Sequence, residues 1–351
     1  MEKKKIVFLY SELASYFLAC VDELTKDPSV EVHIVHWKVN KEAPFQFNIS
    51  PSVHHYSRSS FDSAAELEKL IVKIEPSVIY CSGWLDKGYL KICKSYRNRI
   101  PVIVGLDNQW QNTFKQRLAV LLSPFRILNT FTHCWVPGEP QKKYALKLGF
   151  KKDHILTGFY SCDFDFFYRQ YLQNESLKKT SFPKRFIFVG RYVEFKGIRN
   201  LWNAFIELQE EQPNDWELWC LGTGEIEPQL HPRIRHFGFV QPADMPHYIS
   251  ETGVFVLPSF FEPWGVALHE FAAAGFPVIC SDRVGAASAF VQNGINGYIY
   301  DSKSKPALKV AMKEIMNADP SVLNEMAGKS VMKAKQITPV TWSAQLLKLI
   351  Q

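Results

Sequence analysis

Short apolar runs alternate along the chain with segments whose apolar residues recur every three or four positions. The runs at 5–10, 30–36, 78–81, 102–105 and 133–136 read as strands, and 16–25 and 64–74 carry the helical period. Runs that are apolar at nearly every position suit parallel strands covered on both faces. Strand followed by helix, repeated, implies a doubly wound α/β domain. The rhythm breaks at 158–183, where Gly158, a polar, Lys-rich piece around 170–180 and Pro183 stand in succession. It restarts with strands expected at 185–189, 217–221, 234–237, 253–257, 277–280 and 297–300. The organisation this predicts is a first α/β domain over 1–160, a linker over 161–183 and a second α/β domain over 184–336. A last amphipathic helix over 337–351 completes it. Ligands of such folds sit at the carboxyl ends of the strands, so function is expected in a cleft between the two halves.

Composition narrows this picture. A chain of 351 residues exceeds what one core serves, and 46% hydrophobic with 22% charged residues excludes a collagenous or disordered chain. The seven cysteines include no C-x-x-C pair, so no zinc or disulfide framework is indicated and reduced thiols of a cytoplasmic protein are expected. Met1-Glu2-Lys3-Lys4-Lys5 leads into only five apolar or aromatic residues, a first strand rather than a signal peptide. The most apolar stretch, 253–280, contains Pro258, Glu262, Pro263, His269 and Glu270 and cannot span a bilayer. Charge is uneven. Residues 1–160 carry 22 Lys and Arg against 15 Asp and Glu, and the remaining residues carry 19 against 20. The first half therefore suits a negatively charged partner: phosphate, nucleic acid or an anionic membrane.

Two clusters carry candidate chemistry. In Gly190-Arg191-Tyr192-Val193-Glu194-Phe195-Lys196-Gly197, a strand ends at a glycine and two cations follow five residues apart, before a helix beginning near Ile198. Arg191 and Lys196 could converge on one diphosphate, the first through a planar fork and the second as a point charge. Two surface cations in a loop would read the same way. In the second cluster, strand 253–257 runs into Pro258-Ser259-Phe260-Phe261-Glu262-Pro263-Trp264-Gly265 and then a helix to about Ala274. The backbone N–H groups of Gly265, Val266 and Ala267 would form an anion site. Glu270, inside that helix among Phe271, Ala272 and Ala273, needs hydrogen-bond donors, which a ribose diol or an unseen Arg would supply. Glu262 could equally cap the helix.

Glu262-x7-Glu270, followed by Ala272-Ala273-Ala274-Gly275-Phe276-Pro277-Val278-Ile279, resembles the signature of family 4 retaining glycosyltransferases. Gly190-Arg191…Lys196-Gly197 is similar to their diphosphate clamp. Val136-Pro137-Gly138, Gly285-Ala286 and Asn293-Gly294-Ile295-Asn296-Gly297 follow in family order. The resemblance implies the GT-B fold: two Rossmann-like parallel-sheet domains facing a cleft, with a C-terminal helix crossing back to the first. By it, 1–160 is the acceptor side and 184–336 binds a nucleotide-diphosphate sugar. Glu270 would hold the ribose hydroxyls. The N–H groups of Gly265, Val266 and Ala267, with Gly190, Arg191 and Lys196, would hold the diphosphate. Glu262 would touch the donor sugar, and Gly238, Phe239 and Val240 would approach the base. No cofactor and no metal are called for. The acceptor would be a saccharide or a lipid-linked hydroxyl in surface polysaccharide or glycolipid synthesis, and nucleic acid is not expected as a partner.

The first half departs from the family pattern. The loop Ser11–Tyr16 has no glycine, and Asp107 stands where the family often has a His, as a hydroxyl-binding or proton-accepting group or as a turn residue. Asp163-Phe164-Asp165 is formally a metal motif of another glycosyltransferase fold, although it lies in the linker. Gly222-Thr223-Gly224 reads as a turn beside the donor, and His269 and His54-His55 as structural. A sugar-nucleotide epimerase of the same fold, or a non-catalytic nucleotide-sugar or polyanion binder, remains an alternative. Finally, Phe114, Leu118, Leu121, Leu122 and Phe125 lie at helical spacing with Lys115, Arg117 and Arg126 among them, and Pro124 is expected to break or kink the helix. This segment is a core helix or an interfacial patch that would hold the protein peripherally on the inner face of an anionic membrane.

Overall fold

The structure, a computed structural model, describes residues 3–37 and 49–350. The chain forms two compact units, Met1–Ser161 with Ile337–Gln351, and Cys162–Gln336. The first is built on seven parallel strands: β1 (Lys4–Tyr10), β2 (Val30–His36), β3 (Val53–Ser57), β4 (Val78–Cys81), β5 (Val102–Gly105), β6 (His133–Trp135) and β7 (Ile155–Leu156). The helices between them are α1 (Ser15–Leu24), α2 (Ala64–Ile74), α3 (Lys87–Tyr96), α4 (Phe114–Arg126) and α5 (Glu139–Lys147). The strand order is β3-β2-β1-β4-β5-β6-β7.

Alternation along β1 explains why both faces are covered. Ile6, Phe8 and Tyr10 enter one core, with α1, while Val7 and Leu9 enter another with Leu67, Ile71 and Ile92 of α2 and α3. α2 starts where the sequence offers a cap: Ser63 Oγ accepts the Glu66 N–H at 3.2 Å, and Glu66 accepts from the Asp62 N–H at 2.9 Å.

The second unit carries α6 (Phe164–Thr180), β8 (Arg185–Val189), α7 (Ile198–Glu211), β9 (Glu217–Leu221), β10 (Ile234–Gly238), α8 (Met245–Glu251), β11 (Val254–Leu257), α9 (Val266–Ala273), β12 (Val278–Ser281), α10 (Ala287–Phe290), β13 (Gly297–Tyr300), α11 (Ala307–Asn317) and α12 (Pro320–Ala334). Its six parallel strands run in the order β10-β9-β8-β11-β12-β13. Phe186, Phe188, Leu218, Cys220, Val254 and Val256 line one face with α7 and α11. On the other face, Phe255 stacks on Phe271 of α9 at 4.3 Å.

Two elements differ from the pattern-based expectation. Residues 161–183 are not an irregular linker throughout, since α6 occupies 17 of them and packs on α9 and α12. Phe164 and Phe167 are buried together with Gln170 and Lys178, while most other polar residues of α6 are exposed or half-buried. α4 runs through Pro124 to Arg126 rather than breaking there. The last helix, α13 (Pro339–Leu347), groups with the first unit, where Trp342 is buried among Phe8, Phe17 and Trp135.

Candidate active site

In the second sheet the chain leaves β8 toward β9 on one side, and β11 leads to β12 on the other. Their carboxyl ends therefore flank the point where strand order reverses, the place where open α/β sheets leave a crevice. Two loops meet there. The N–H groups of Phe260 and Phe261 both donate to the Phe195 carbonyl, at 2.8 and 3.3 Å. Gly197 makes this approach possible. Its φ is +69°, and a Cβ there would lie 2.2 Å from the Pro258 carbonyl oxygen.

The contact brings the Lys196 ammonium onto the Glu262 carboxylate as an ion pair. Ser259 Oγ donates to the same carboxylate oxygen at 3.2 Å. The backbone of Glu262 is fixed as well, its N–H on Arg283 O at 3.3 Å and its carbonyl on the Gly285 N–H at 3.1 Å. Ala286 N–H adds a bond to Trp264 O at 2.9 Å, so Gly285-Ala286 serves as a brace for this loop. Glu262 is 9% exposed. Arg191 and Lys196 lie against one ring, each cation 5.8 Å from the centre of Phe195. Thus the structure gathers Arg191, Lys196 and Glu262 within one pair of loops.

α9 begins immediately after that loop. Gly265, at φ +97°, turns the chain into the helix, and Val266 and Ala267 occupy its first turn, where N–H groups have no intrahelical partner. Glu270 lies one turn further along, at i+4 from Val266 and so on the same face. Its carboxyl is half-buried and makes no hydrogen bond or ion pair among the described residues. Desolvation pushes its pKa up to about 7, with the nearby charge of Asp163 adding to the rise. His269, beside it, is fully buried. Its Nδ1 accepts the Cys162 N–H at 3.1 Å and its Nε2–H donates to Ala334 O at 3.0 Å, which fixes the tautomer and gives it a bracing role.

Neighbouring strand ends complete the rim. Gly190 N–H bonds Leu221 O at 3.0 Å, Tyr192 N–H bonds Thr223 O at 2.9 Å, and Gly222 N–H bonds Gly238 O. Gly222-Thr223-Gly224 therefore ties the loops after β8, β9 and β10 together. Gly238 takes φ +70°, and Val240 is half-buried just beyond it. Asp163 caps α6, its Oδ1 accepting the Phe166 N–H at 3.1 Å, so the first carboxylate of the D-x-D has a structural role.

The first unit has a comparable reversal point between β1 and β4, and a cavity of about 200 Å³ opens at the strand ends there. Tyr10, Tyr16, Tyr80 and Tyr160 form its walls, with Ser11, Glu12 and Asp107 supplying further polar groups. Gly105 leaves room for the Tyr80 hydroxyl, which a Cβ would meet at 2.0 Å. Asp107 accepts from Tyr160 Oη at 3.4 Å and from Asn108 Nδ2 at 3.1 Å, and desolvation raises its carboxyl above the usual range. Burial likewise raises Tyr10, Tyr80 and Tyr160, so their hydroxyls stay protonated. This aromatic cavity was not foreseen from sequence. Its walls come from separate segments, and only the placement of Tyr10 at the end of one apolar run and of Asp107 just after another hinted at it.

Among the described residues one group of side chains has metal-ligand spacing: Glu31, His33 and His54, with ligand atoms within 4.8 Å of one another. Protein contacts account for it. His33 Nε2 bonds Glu31 at 2.8 Å, its Nδ1 faces the Tyr56 hydroxyl at 3.4 Å, and His54 stacks on its ring at 4.7 Å.

Comparison with known proteins places these observations. Residues 183–318 match the family model of glycosyl transferases group 1. The alpha-monoglucosyldiacylglycerol synthase of Acholeplasma laidlawii is 24% identical over 346 residues, covering 90% of this chain and 82% of that protein. The O-antigen chain mannosyltransferase B of Escherichia coli is 28% identical over 146 residues, 37% of this chain and 38% of that protein. In structure, the chain is similar to sucrose-phosphate synthase from Thermosynechococcus elongatus, with TM-score 0.76, 16% identity and coverage of 99% of this chain and 98% of the other. It is also similar to Anabaena HepE in complex with UDP-glucose, with TM-score 0.69, 16% identity and 98% of each chain covered. The two parallel-sheet units have the GT-B fold. The family match is confined to residues 183–318, within the second unit, and over that span the chain is similar to glycosyl transferases group 1.

Proposed function

We propose that the chain transfers a sugar from a nucleotide-diphosphate donor to a hydroxyl of a saccharide or lipid-linked acceptor, retaining the anomeric configuration and using no metal. The observation that carries this reading is the meeting of Arg191, Lys196 and Glu262 in the two loops at the strand reversal, directly before the N-terminus of α9. In the proposed reaction the bond between the anomeric carbon and the phosphate oxygen breaks, and the diphosphate keeps the electron pair. Arg191, Lys196 and the N–H groups of Gly265, Val266 and Ala267 receive that growing charge. Each cation contributes about 4 kcal/mol at 4 Å and an effective dielectric near 20. The acceptor oxygen bonds the anomeric carbon on the face the phosphate leaves, and its proton passes to a phosphate oxygen.

Glu262, held by Lys196 and Ser259, is placed to accept hydrogen bonds from sugar hydroxyls. Glu270 takes the ribose diol, and Gly238 and Val240 receive the base. Asp107, with the tyrosines of the first unit's cavity, binds the acceptor hydroxyls. HepE is a structural neighbour described with UDP-glucose, and the Acholeplasma relative is named for a glycolipid synthesis; both support this donor and acceptor class. The reading includes peripheral attachment to the cytoplasmic face of an anionic membrane. The test is incubation with a panel of nucleotide sugars and candidate acceptors in EDTA. Anomeric configuration is read by NMR in donor and product. Transfer with inversion, or only after a divalent ion is restored, would refute the respective part.

A further inference from the structure

α4 wears its apolar side outward. Phe114, Leu118, Leu121 and Phe125 are 80, 44, 71 and 78% exposed, and Ser123 is the only buried residue of the helix. At about 100° per residue these four positions fall within an arc of about 60°. Ala119 and Val120, which pack on the core of the first unit, project from the opposite side. The outward stripe is therefore not the side the fold needs for its own core.

Its borders are cationic. On the same projection Lys115 and Arg126 lie along one edge and Arg117 along the other, about 70–110° from the stripe's centre. The helix contains no Asp or Glu, and none of the three cations is in an ion pair among the described residues. Bulky apolar side chains flanked on both edges by unpaired cations match the layering of an anionic bilayer surface, with acyl chains beneath charged headgroups. A protein partner's apolar groove would meet the stripe but leave three cations without counter-charge.

We propose that α4 is a membrane-docking helix that lies in the plane of an anionic bilayer, Phe114, Leu118, Leu121 and Phe125 entering the acyl boundary and Lys115, Arg117 and Arg126 meeting headgroup phosphates. This deepens the membrane part of the functional reading by naming its surface, and it does not require that glycosyl transfer occur.

Flotation on sucrose gradients with vesicles of phosphatidylcholine alone, or mixed with phosphatidylglycerol, tests it. The wild-type chain floats with the anionic vesicles at low salt and is released at high salt. Leu121→Glu with Phe125→Glu stays in the soluble fraction. Replacing Lys115, Arg117 and Arg126 by Ala lowers partition about fivefold per cation, the equivalent of about 1 kcal/mol each. Both exposed-site variants keep wild-type nucleotide affinity and circular dichroism, which separates loss of docking from loss of fold. Wild-type protein that remains soluble with anionic vesicles overturns the proposal, as does a Leu121→Glu/Phe125→Glu variant that floats unchanged. A wild-type dimer in light scattering that this double variant dissociates would assign the stripe to a second copy and overturn it too. Transfer to a soluble acceptor reports separately on the enzymatic reading, which either docking result leaves untouched.

Discussion

Lys196 and Glu262 neutralise one another across two loops, and in the proposed reading the donor diphosphate shares that ammonium. Lys196→Ala should therefore remove the charge that the leaving group meets in that reading and leave the Glu262 carboxylate, still bonded by Ser259 Oγ, in its place. Turnover is expected to fall about 10²–10³-fold, with a smaller change in donor affinity, because the charge matters most when the glycosidic bond is breaking. Steady-state kinetics beside calorimetric donor titration separates the two, and equal losses in both would argue against a transition-state role. Glu270 gives a test in pH. Its folded-state pKa is about 7 and its ordinary value 4.5, so between these the folded protein holds a proton that the unfolded chain has lost. Stability should fall as pH rises through that window, and Glu270→Gln should abolish the fall. In the proposed reading the ionised carboxylate accepts two ribose hydroxyls, so nucleotide-sugar affinity should rise through pH 7 in the wild type and stay flat in the variant. A pH-independent wild-type affinity would refute the ribose assignment. That Glu262 stands in the loop after an apolar strand and Glu270 inside the helix that follows was legible in the chain. Their surroundings were not: Lys196 reaches Glu262 across 66 positions, and the burial that perturbs Glu270 is a property of the packed unit.

At the scale of elements, strands with β-branched residues on both faces are the easiest to read, because burial on two sides forbids polar interruptions. β3, Val53-His54-His55-Tyr56-Ser57, escaped that reading since it is an edge strand with mostly polar residues, and β7 is only two residues long. α6 escaped for a different reason. Its aromatic residues recur at helical spacing, but lysines and polar groups dominate its second half. One of those lysines went inward: Lys178 is 8% exposed, its ammonium 3.9 Å from the centre of the Phe276 ring, and desolvation lowers its pKa to about 7. Here the sign is opposite to that of Glu270. Between about 7 and 10.5 the unfolded chain carries the extra proton, so the penalty is full below that window and lifts as pH rises. Lys178→Met should raise the melting temperature at pH 6–7 and make stability less dependent on pH up to 10. Differential scanning calorimetry at several pH values checks this, and a destabilised variant at pH 6 would mean that the contact with Phe276 outweighs burial of the charge.

Across the whole molecule the charge asymmetry has an address. The unpaired cations of α4 lie on the first unit, the half with the basic excess, while the second unit spends many of its charges in ion pairs such as Arg185 with Glu217 and Glu251 and Lys309 with Glu207 and Glu211. The other whole-molecule feature is α13. Trp342 stacks on Trp135 at 4.8 Å, packs on Phe8 and donates its indole N–H to Phe159 O at 2.7 Å. Trp342→Ala should cost about 3–5 kcal/mol. The loss should appear in the first unit, with amide exchange accelerating in β1 and β6 and unchanged in β8 and β11. Uniform acceleration across both units would show instead that they unfold together.

The membership of α13 also sets an order of events during synthesis. Cys162–Gln336 is continuous in the chain, so every residue of the second unit has been made before the first unit can be finished. Residues 3–161 wait on the translating ribosome with the face around Phe8, Phe17 and Trp135 still uncovered. A chaperone that binds aromatic surface should therefore engage released chains truncated at 330 and lose its hold on released chains that include α13.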